Sequence, residues 1–436
     1  MKNPCKRVGA VALALAMSVG LAACGGDAKQ GGAGDQKAFT YWSMWQEKEP
    51  QAKILAQAIK DYEAKTGVTV NVEWQGREVL TKVTPLLASG TDLPDLVDQS
   101  FDQLAPVLGR ADKAAELGDL LDEKVGDTDQ TLKDAGAGNF SDVATLNDKQ
   151  ILLPYAANAN VLWTDAAAHP ELVEQAPETL DALQQYLVGQ KAKGEVPVMI
   201  DGAYPYARLI WMMNVLRVHL GGADKLVELA GDKEGAGWDA PEVLAAAQYI
   251  EAMHAKGLFA DDAFGTKWPY QQEKFAGGEG TVLAMGSWLP AEIAKSLKDG
   301  AKLQAVPFPG KTAGDAGDIE TSVFGFAVPK DAENVDAAKA FAAFFLQPKY
   351  QEQLVKDAGT LPVLSEVAGP EGQDLLAKGL KDGNIAPVHG NIDALYPGWM
   401  EPMKEQTLEL MTGKVDAKGF VANMKKAQVD YWKQNG

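Results

Sequence analysis

Phe39 to Trp42 make a short apolar run, after which the chain switches to a helical period. Ile54, Leu55, Ala58, Ile59 and Tyr62 recur at the spacing of one helix face, with Pro50 at a first-turn position and Gly67 as the stop. Val68, Val70, Val72 and Trp74 then alternate, as a half-buried strand does. Strand, helix and strand in this order predict a parallel sheet with helices on its faces. A further amphipathic stretch runs into A-S-G-T-D-L-P-D-L-V, where Gly90 and Pro94 punctuate a turn into a short strand, Asp95 to Val97. From Pro177 the pattern is mainly helical, interrupted by strand-like pieces at Val196–Ile200, Thr281–Met285 and Val323–Val328. Helices are predicted around Ala337–Phe345 and Lys349–Lys356, and helical segments continue through Trp432. No internal repeat recurs at a fixed period.

The first residues follow a different pattern. Lys2, Lys6 and Arg7 form a positive n-region, and Val8 to Ala16 is a small apolar core too short for a comfortable membrane helix. Leu21-Ala22-Ala23-Cys24 follows, which resembles a bacterial lipobox. The resemblance implies a signal peptide over 1–23 and a lipid-carrying N-terminus at Cys24. The Gly-rich stretch 24–37 then reads as a flexible tether. Cys5, the other cysteine of two, would leave with the leader, so a mature exported chain would carry no disulfide and must rely on a large core.

At 436 residues the chain is long enough for two domains, and 46% hydrophobic with 23% charged residues is ordinary globular composition. A formal net charge of −19 with no basic stripe excludes nucleic acid as a partner. Chemistry-bearing motifs fail on inspection. A-V-P-F-P-G-K-T (Ala305 to Thr312) has the end of a phosphate loop, but Ala305 replaces its first glycine and two prolines its cradle. The stretch from Asp127 begins like a calcium loop and loses the pattern at Thr131 and Leu132. His169, His219, His254 and His389 are scattered without metal spacing, and no nucleophile elbow is present. No catalytic residue, metal or cofactor is expected.

Tryptophan is the informative residue. Trp42, Trp45, Trp268 (T-K-W-P-Y), Trp288 (M-G-S-W-L-P) and Trp399 (Y-P-G-W-M) stand beside turn signals, whereas Trp74, Trp163 and Trp211 fit strand or helix faces and read as core. Flat rings suit the C–H faces of sugars, with neighbouring Asp, Asn and Gln taking hydroxyls, so five turn-edge rings point to an aromatic-lined cleft.

Several tracts, in order, resemble bacterial family 1 extracellular solute-binding proteins. A-S-G-T-D-L-P-D-L-V resembles their small-G-x-x-P-D signature. Ile151 to Asp165 (I-L-L-P-Y-A-A-N-A-N-V-L-W-T-D) resembles the first crossover between lobes, and P-E-T-L-D-A-L the P-x-T-W-x-E-L segment. F-A-G-G-E-G-T-V-L-A-M-G-S-W, Phe275 to Trp288, is similar to F-x-x-G-x-A-A-M-x-x-x-G-x-W, and S-V-F-G-F-A-V-P-K resembles the return through the first lobe. The departures are Trp163-Thr164 for Tyr-Asn and Leu180 for Trp.

The resemblance implies an α/β fold of two-lobe periplasmic-binding-protein (type II, Venus-flytrap) architecture, similar to maltose-binding protein. The first lobe would comprise 38–153 and 324–362, and the second 154–323 and 363–436. It implies a monomeric subunit of an ABC importer that closes on a sugar or oligosaccharide and delivers it to a permease. By the same resemblance Trp288 is the stacking aromatic, Asn158 a crossover residue reaching hydroxyls, Trp399 a late-helix ring, and Tyr204 and Tyr206 second-lobe aromatics. Asp98 and Gln99 would follow the P-D strand at the cleft edge. Trp42 and Trp45 fall at the carboxyl end of the first strand, where α/β sheets place ligands, and at least one is expected in the cleft; Trp268 is a further candidate ring. The competing readings are an exported carbohydrate-active enzyme such as a glycoside hydrolase, and the same fold binding a non-sugar solute.

Overall fold

The structure, a computed structural model, describes residues 37–313 and 317–436. The expectations for the leader, Cys24 and most of the tether lie outside the described residues. The strands are β1 (Ala38–Ser43), β2 (Thr69–Trp74), β3 (Leu96–Ser100), the hairpin pair β4 (Thr145–Leu146) and β5 (Lys149–Gln150), β6 (Leu153–Asp165), β7 (Val198–Met199), β8 (Val282–Gly286), β9 (Leu303–Val306), β10 (Ile319–Ala327) and β11 (Ile385–Pro387). The main sheet runs β2-β1-β3-β10-β6-β8-β7, with β11 beside β10 and β9 beside β6.

The opening unit follows its sequence pattern closely. β1 and β2 pair in parallel from Ala38↔Thr69 to Ser43↔Trp74, joined by a helix over Pro50–Thr66. That helix buries Ile54, Leu55, Ala58, Ile59 and Tyr62 and ends on Gly67 at φ +74°, where the glycine N–H bonds the Glu63 carbonyl at 2.9 Å. A left-handed residue at this position favours glycine because a side chain would crowd the following carbonyl.

Two long strands hold the sheet together. β6 is buried from Leu153 to Thr164, and β8 and β9 flank its second half. Its first half pairs with β10. β10 in turn bonds β3 through Phe324↔Ser100 to Ala327↔Val97, and β11 through Ile319↔Ile385. The register of β6 against β10 slips at Phe324/Gly325. There a Cβ on Gly325 would strike the Leu153 carbonyl and the Leu152 side chain, so the bulge requires glycine. A third segment touches β6, with Ala157 and Leu361 exchanging backbone hydrogen bonds of 2.9 and 3.0 Å.

Helices fill both ends of this sheet. Val335–Phe345 packs Phe341 against Phe39, Tyr41 and Phe326, whereas Pro205–Leu220 is buried over nearly its whole length. A helix buried on all its faces must be enclosed by other elements, and its Arg208, Asn214 and Arg217 find internal hydrogen-bond partners. The final helix, Ala417–Asn435, lies against Met400–Met411 and Pro241–Ala255.

Candidate functional site

A cavity of about 320 Å³ opens where β6 and β10 cross the middle of the sheet. Asn158 and Asn160 of β6 and Thr321, Ser322 and Phe324 of β10 line it, with Phe101 and Asp102 just beyond β3. Segments distant in sequence complete the walls: Tyr206 in the first turn of its helix, Trp288 after β8, and His389, Asn391 and Asp393 after β11.

Trp288 is set by its neighbours. Ser287, fully buried, accepts the Ala159 N–H on Oγ at 3.2 Å and donates its own N–H to the Ala159 carbonyl at 2.8 Å. The Ser287 carbonyl takes a 2.9 Å hydrogen bond from Gln373 Nε2. With the backbone pinned on both sides, the Trp288 ring folds back over Gly286, where any Cβ would collide with it. The half-buried ring meets Tyr206 at 6.0 Å between centroids and 30° between planes. Tyr204 extends the series at 5.8 Å and 41°, its ring 42% exposed. Three neighbouring rings, tilted pairwise by 41° and 30°, offer aromatic area of the kind against which an apolar sugar face can lie.

Beneath the rings runs a chain of polar groups. The Tyr206 hydroxyl donates to Asn160 Oδ1, and Asn160 Nδ2 donates to Glu320 Oε2 at 2.7 Å. Asn214 Nδ2 reaches the same oxygen at 3.2 Å, while the His389 backbone N–H bonds Glu320 Oε1 at 2.7 Å. Arg217 supports Asn214 Oδ1 at 3.1 Å and bonds the Asp318 carbonyl at 2.8 Å. Burial, with the Glu320 charge adding to it, pushes the Tyr206 hydroxyl well above its ordinary value, so it remains a donor. Glu320 thus links β10, β6, the helix Pro205–Leu220 and the segment after β11. A buried carboxylate with this many donors fixes the orientation of the groups around it.

The segment after β11 is conformationally unusual. His389, Gly390 and Asn391 have φ of +50°, +66° and +57°. Three consecutive left-handed residues, two of them with side chains, point to a site where geometry outweighs local preference. His389 Nε2 is buried without a hydrogen-bond partner, 3.9 Å from Glu320 Oε1.

Of the ten candidate binding residues, the structure brings Trp288, Tyr206 and Asn158 to the cavity and places Tyr204 at the end of the ring series. Trp45 stands one layer behind: 4% exposed, its ring is 5.5 Å from that of Phe324, and its Nε1 donates to Tyr155 Oη at 2.8 Å. Trp42 is half-buried and is not part of the lining. Asp98 and Gln99 need correction: they lie inside β3, paired with β10 and buried, because the strand continues to Ser100. Asp98 accepts the Tyr155 hydroxyl at 2.7 Å and the Met44 N–H at 2.8 Å, and burial pushes its carboxyl up to about 6 against these bonds. Trp399 is also corrected. It is 3% exposed, stacks on Trp238 at 6.4 Å and donates to Gln428 at 2.6 Å, within the helical layer. Trp268 is a surface ring, 46% exposed, bonded to Gln272 at 3.2 Å.

Asn160, Glu320, His389, Asn391, Asp102 and Asp393 escape the sequence reading. A signal existed for two groups. Asn158 and Asn160, two apart in a strand, share a face. H-G-N at 389–391 strings together residues that tolerate positive φ.

An open cavity at the crossing of two strands, ringed by aromatics and amide groups, defines a solute receptor. The chain matches the family described as bacterial extracellular solute-binding protein over residues 57–378, and belongs to it. It is similar to the diacetylchitobiose binding protein DasA of Streptomyces coelicolor, 26% identical over 447 residues covering 94% of this chain and 95% of the relative. Among solved structures it resembles apo RafE from Streptococcus pneumoniae (TM-score 0.73, 17% identity, 90% and 97% of the chains). It also resembles a chitin oligosaccharide binding protein (TM-score 0.63, 21% identity, 92% and 100%). The architecture is accordingly the two-lobe α/β fold of such receptors.

Proposed function

We propose that the protein captures a sugar or oligosaccharide outside the cytoplasm and hands it to the membrane permease of an ABC importer. The observation that carries this reading is the Tyr206–Trp288 ring pair, extended outward by Tyr204, sharing one cavity with Asn158 and Asn160. Rings take the C–H faces of a pyranose, and amides take its hydroxyls. The names of the relatives, which include diacetylchitobiose and chitin oligosaccharide binding, favour the same class. In this reading the lobes comprise 38–153 with 324–362, and 154–323 with 363–436. They close about the crossings near Pro154–Asn158, Ser322–Phe326 and Thr360–Val363, and Cys24 carries the lipid that holds the receptor at the membrane. The ligand drives closure only through tighter binding to the closed state.

A thermal-shift panel with diacetylchitobiose, chitin oligosaccharides and raffinose tests the reading, because a ligand at 100 times its dissociation constant adds about 2.7 kcal/mol. At least one saccharide should raise the melting temperature and lower the radius of gyration in solution scattering. A panel without any shift, or release of hydrolysed sugar during incubation, overturns the proposal.

A further inference from the structure

The large apolar side chains left uncovered are grouped. Among the described residues Val188, Tyr204, Trp268 and Tyr270 are exposed, and the three aromatic ones stand on two segments, 202–206 and 266–270, that are bonded to each other. Apolar groups exposed singly need no explanation, whereas a cluster of them marks a surface that meets something. Tyr204 is already the outer end of the ring series, so this cluster continues the site outward.

Trp268 is tied to the site from two sides. The first tie runs to the loop that carries Tyr204. The Ala203 N–H donates to the Thr266 carbonyl at 3.2 Å and the Gly202 N–H to the Ala263 carbonyl at 2.9 Å. Asp201, buried beside them, accepts the Gln271 N–H at 2.9 Å and the Gln272 N–H at 3.4 Å. The second tie runs to the helix Leu289–Ile293, which follows Trp288 directly. Trp268 Nε1 donates to Gln272 Oε1 at 3.2 Å, and Gln272, itself buried, donates Nε2 to Glu292 Oε2 at 2.9 Å. Glu292 in turn is close enough to Tyr206 to add to the rise of its hydroxyl. The one polar atom of the Trp268 ring is thus spent inside the protein, and the part left in water is apolar. A ring fixed in this way loses little conformational freedom when a ligand lies on it.

The cavity itself is small. Its 320 Å³ is at the lower end of the range of about 300–1,000 Å³ usual for ligand pockets, and Trp268 is outside its lining. We infer that Trp268 is the platform of an outer subsite, on which an oligosaccharide too long for the cavity lays the unit that follows Tyr204. The receptor then favours longer chains over those that the cavity alone can hold. This inference rests on the sugar reading above and deepens it to chain length.

The test is calorimetric titration with two series of increasing length, chitin oligosaccharides from the dimer to the pentamer, and melibiose, raffinose and stachyose. In at least one series the wild type should gain about tenfold in affinity at one step of added length. In Trp268→Ala the ratio of long-chain to short-chain affinity should collapse toward one, and Trp268→Phe should restore part of it. An unchanged melting temperature, as expected for an exposed ring, shows that the variants are folded. Tyr270→Ala removes an exposed ring two positions on, which Lys274 Nζ overlies at 5.8 Å, and should keep the step. Wild type that binds short and long chains alike overturns the outer subsite and leaves the sugar reading standing. A Trp268→Ala variant that keeps the step removes Trp268 as its cause. Loss of the step in Tyr270→Ala as well assigns it to disturbance of segment 266–270 and overturns stacking on Trp268. Wild type that binds no saccharide overturns this inference and the sugar reading together.

Discussion

Trp288→Ala separates a binding ring from a packing ring. A fully buried tryptophan truncated to alanine costs about 3–5 kcal/mol of folding stability. Trp288 is only half-buried, with one side against Gly286 and Tyr206 and the other toward the cavity. Aromatic side chains bury about 150–250 Å² when enclosed. Half of that, at about 25 cal/mol/Å², gives a stability loss of about 2–3 kcal/mol. The same substitution removes a central aromatic from the sugar surface, which costs about 2 kcal/mol or more of binding, roughly thirtyfold in affinity. Urea unfolding without ligand and calorimetric titration with the best saccharide, on one preparation, give both quantities. A stability loss well above 3 kcal/mol with near-normal affinity would show the ring to be a core residue and remove the main support for a carbohydrate ligand.

Three further outcomes are expected. Gly286→Ala should displace the Trp288 ring and weaken sugar binding, and this loss should vanish in a Trp288→Ala background; additive losses in the double variant would refute the coupling. Asp98 has a folded pKa of about 6, above the ordinary unfolded value of about 3.9, so the folded state holds this proton more tightly and stability falls as pH rises between them. Asp98→Asn should therefore gain about 3 kcal/mol relative to wild type between about pH 4 and 7 in urea titrations. An unchanged difference would refute the raised pKa. Cys24→Ser should move the protein from the membrane fraction to the soluble one, and wild-type partitioning of this variant would dismiss the lipid anchor.

The elements that sequence reveals well are those with a repeating period. The β1–helix–β2 unit is visible because Val68, Val70, Val72 and Trp74 alternate, five helix positions recur on one face, and glycine marks the helix end. β10 is harder: its first four residues, Ile319–Ser322, extend beyond the apolar run because they pair with β11 and β6, partners that lie elsewhere in the chain. The site divides in the same way. Trp288 is legible from its turn, whereas Trp399 stands beside an equally good turn signal and is core, because local spacing says nothing of Gln428 and Trp238 closing over it. Glu320 is invisible among 60 acidic residues; its role arises only where three other segments bring donors to it.

The central place of β10 has a consequence for how the chain must be made. β3 ends at Ser100 and β6 at Asp165, yet the strand that fills the gap between them begins only at Ile319. Until that stretch has been synthesised, the growing chain carries two strands, both buried in the finished fold, with unpaired edges, and such edges recruit other chains. Closing so large a loop late makes assembly slow and exposes the intermediate to aggregation. A fragment ending before Ile319 should therefore be recovered as insoluble material, however well its opening β1–helix–β2 unit is formed. The receptor's first half becomes a folded object only when the second half has been supplied.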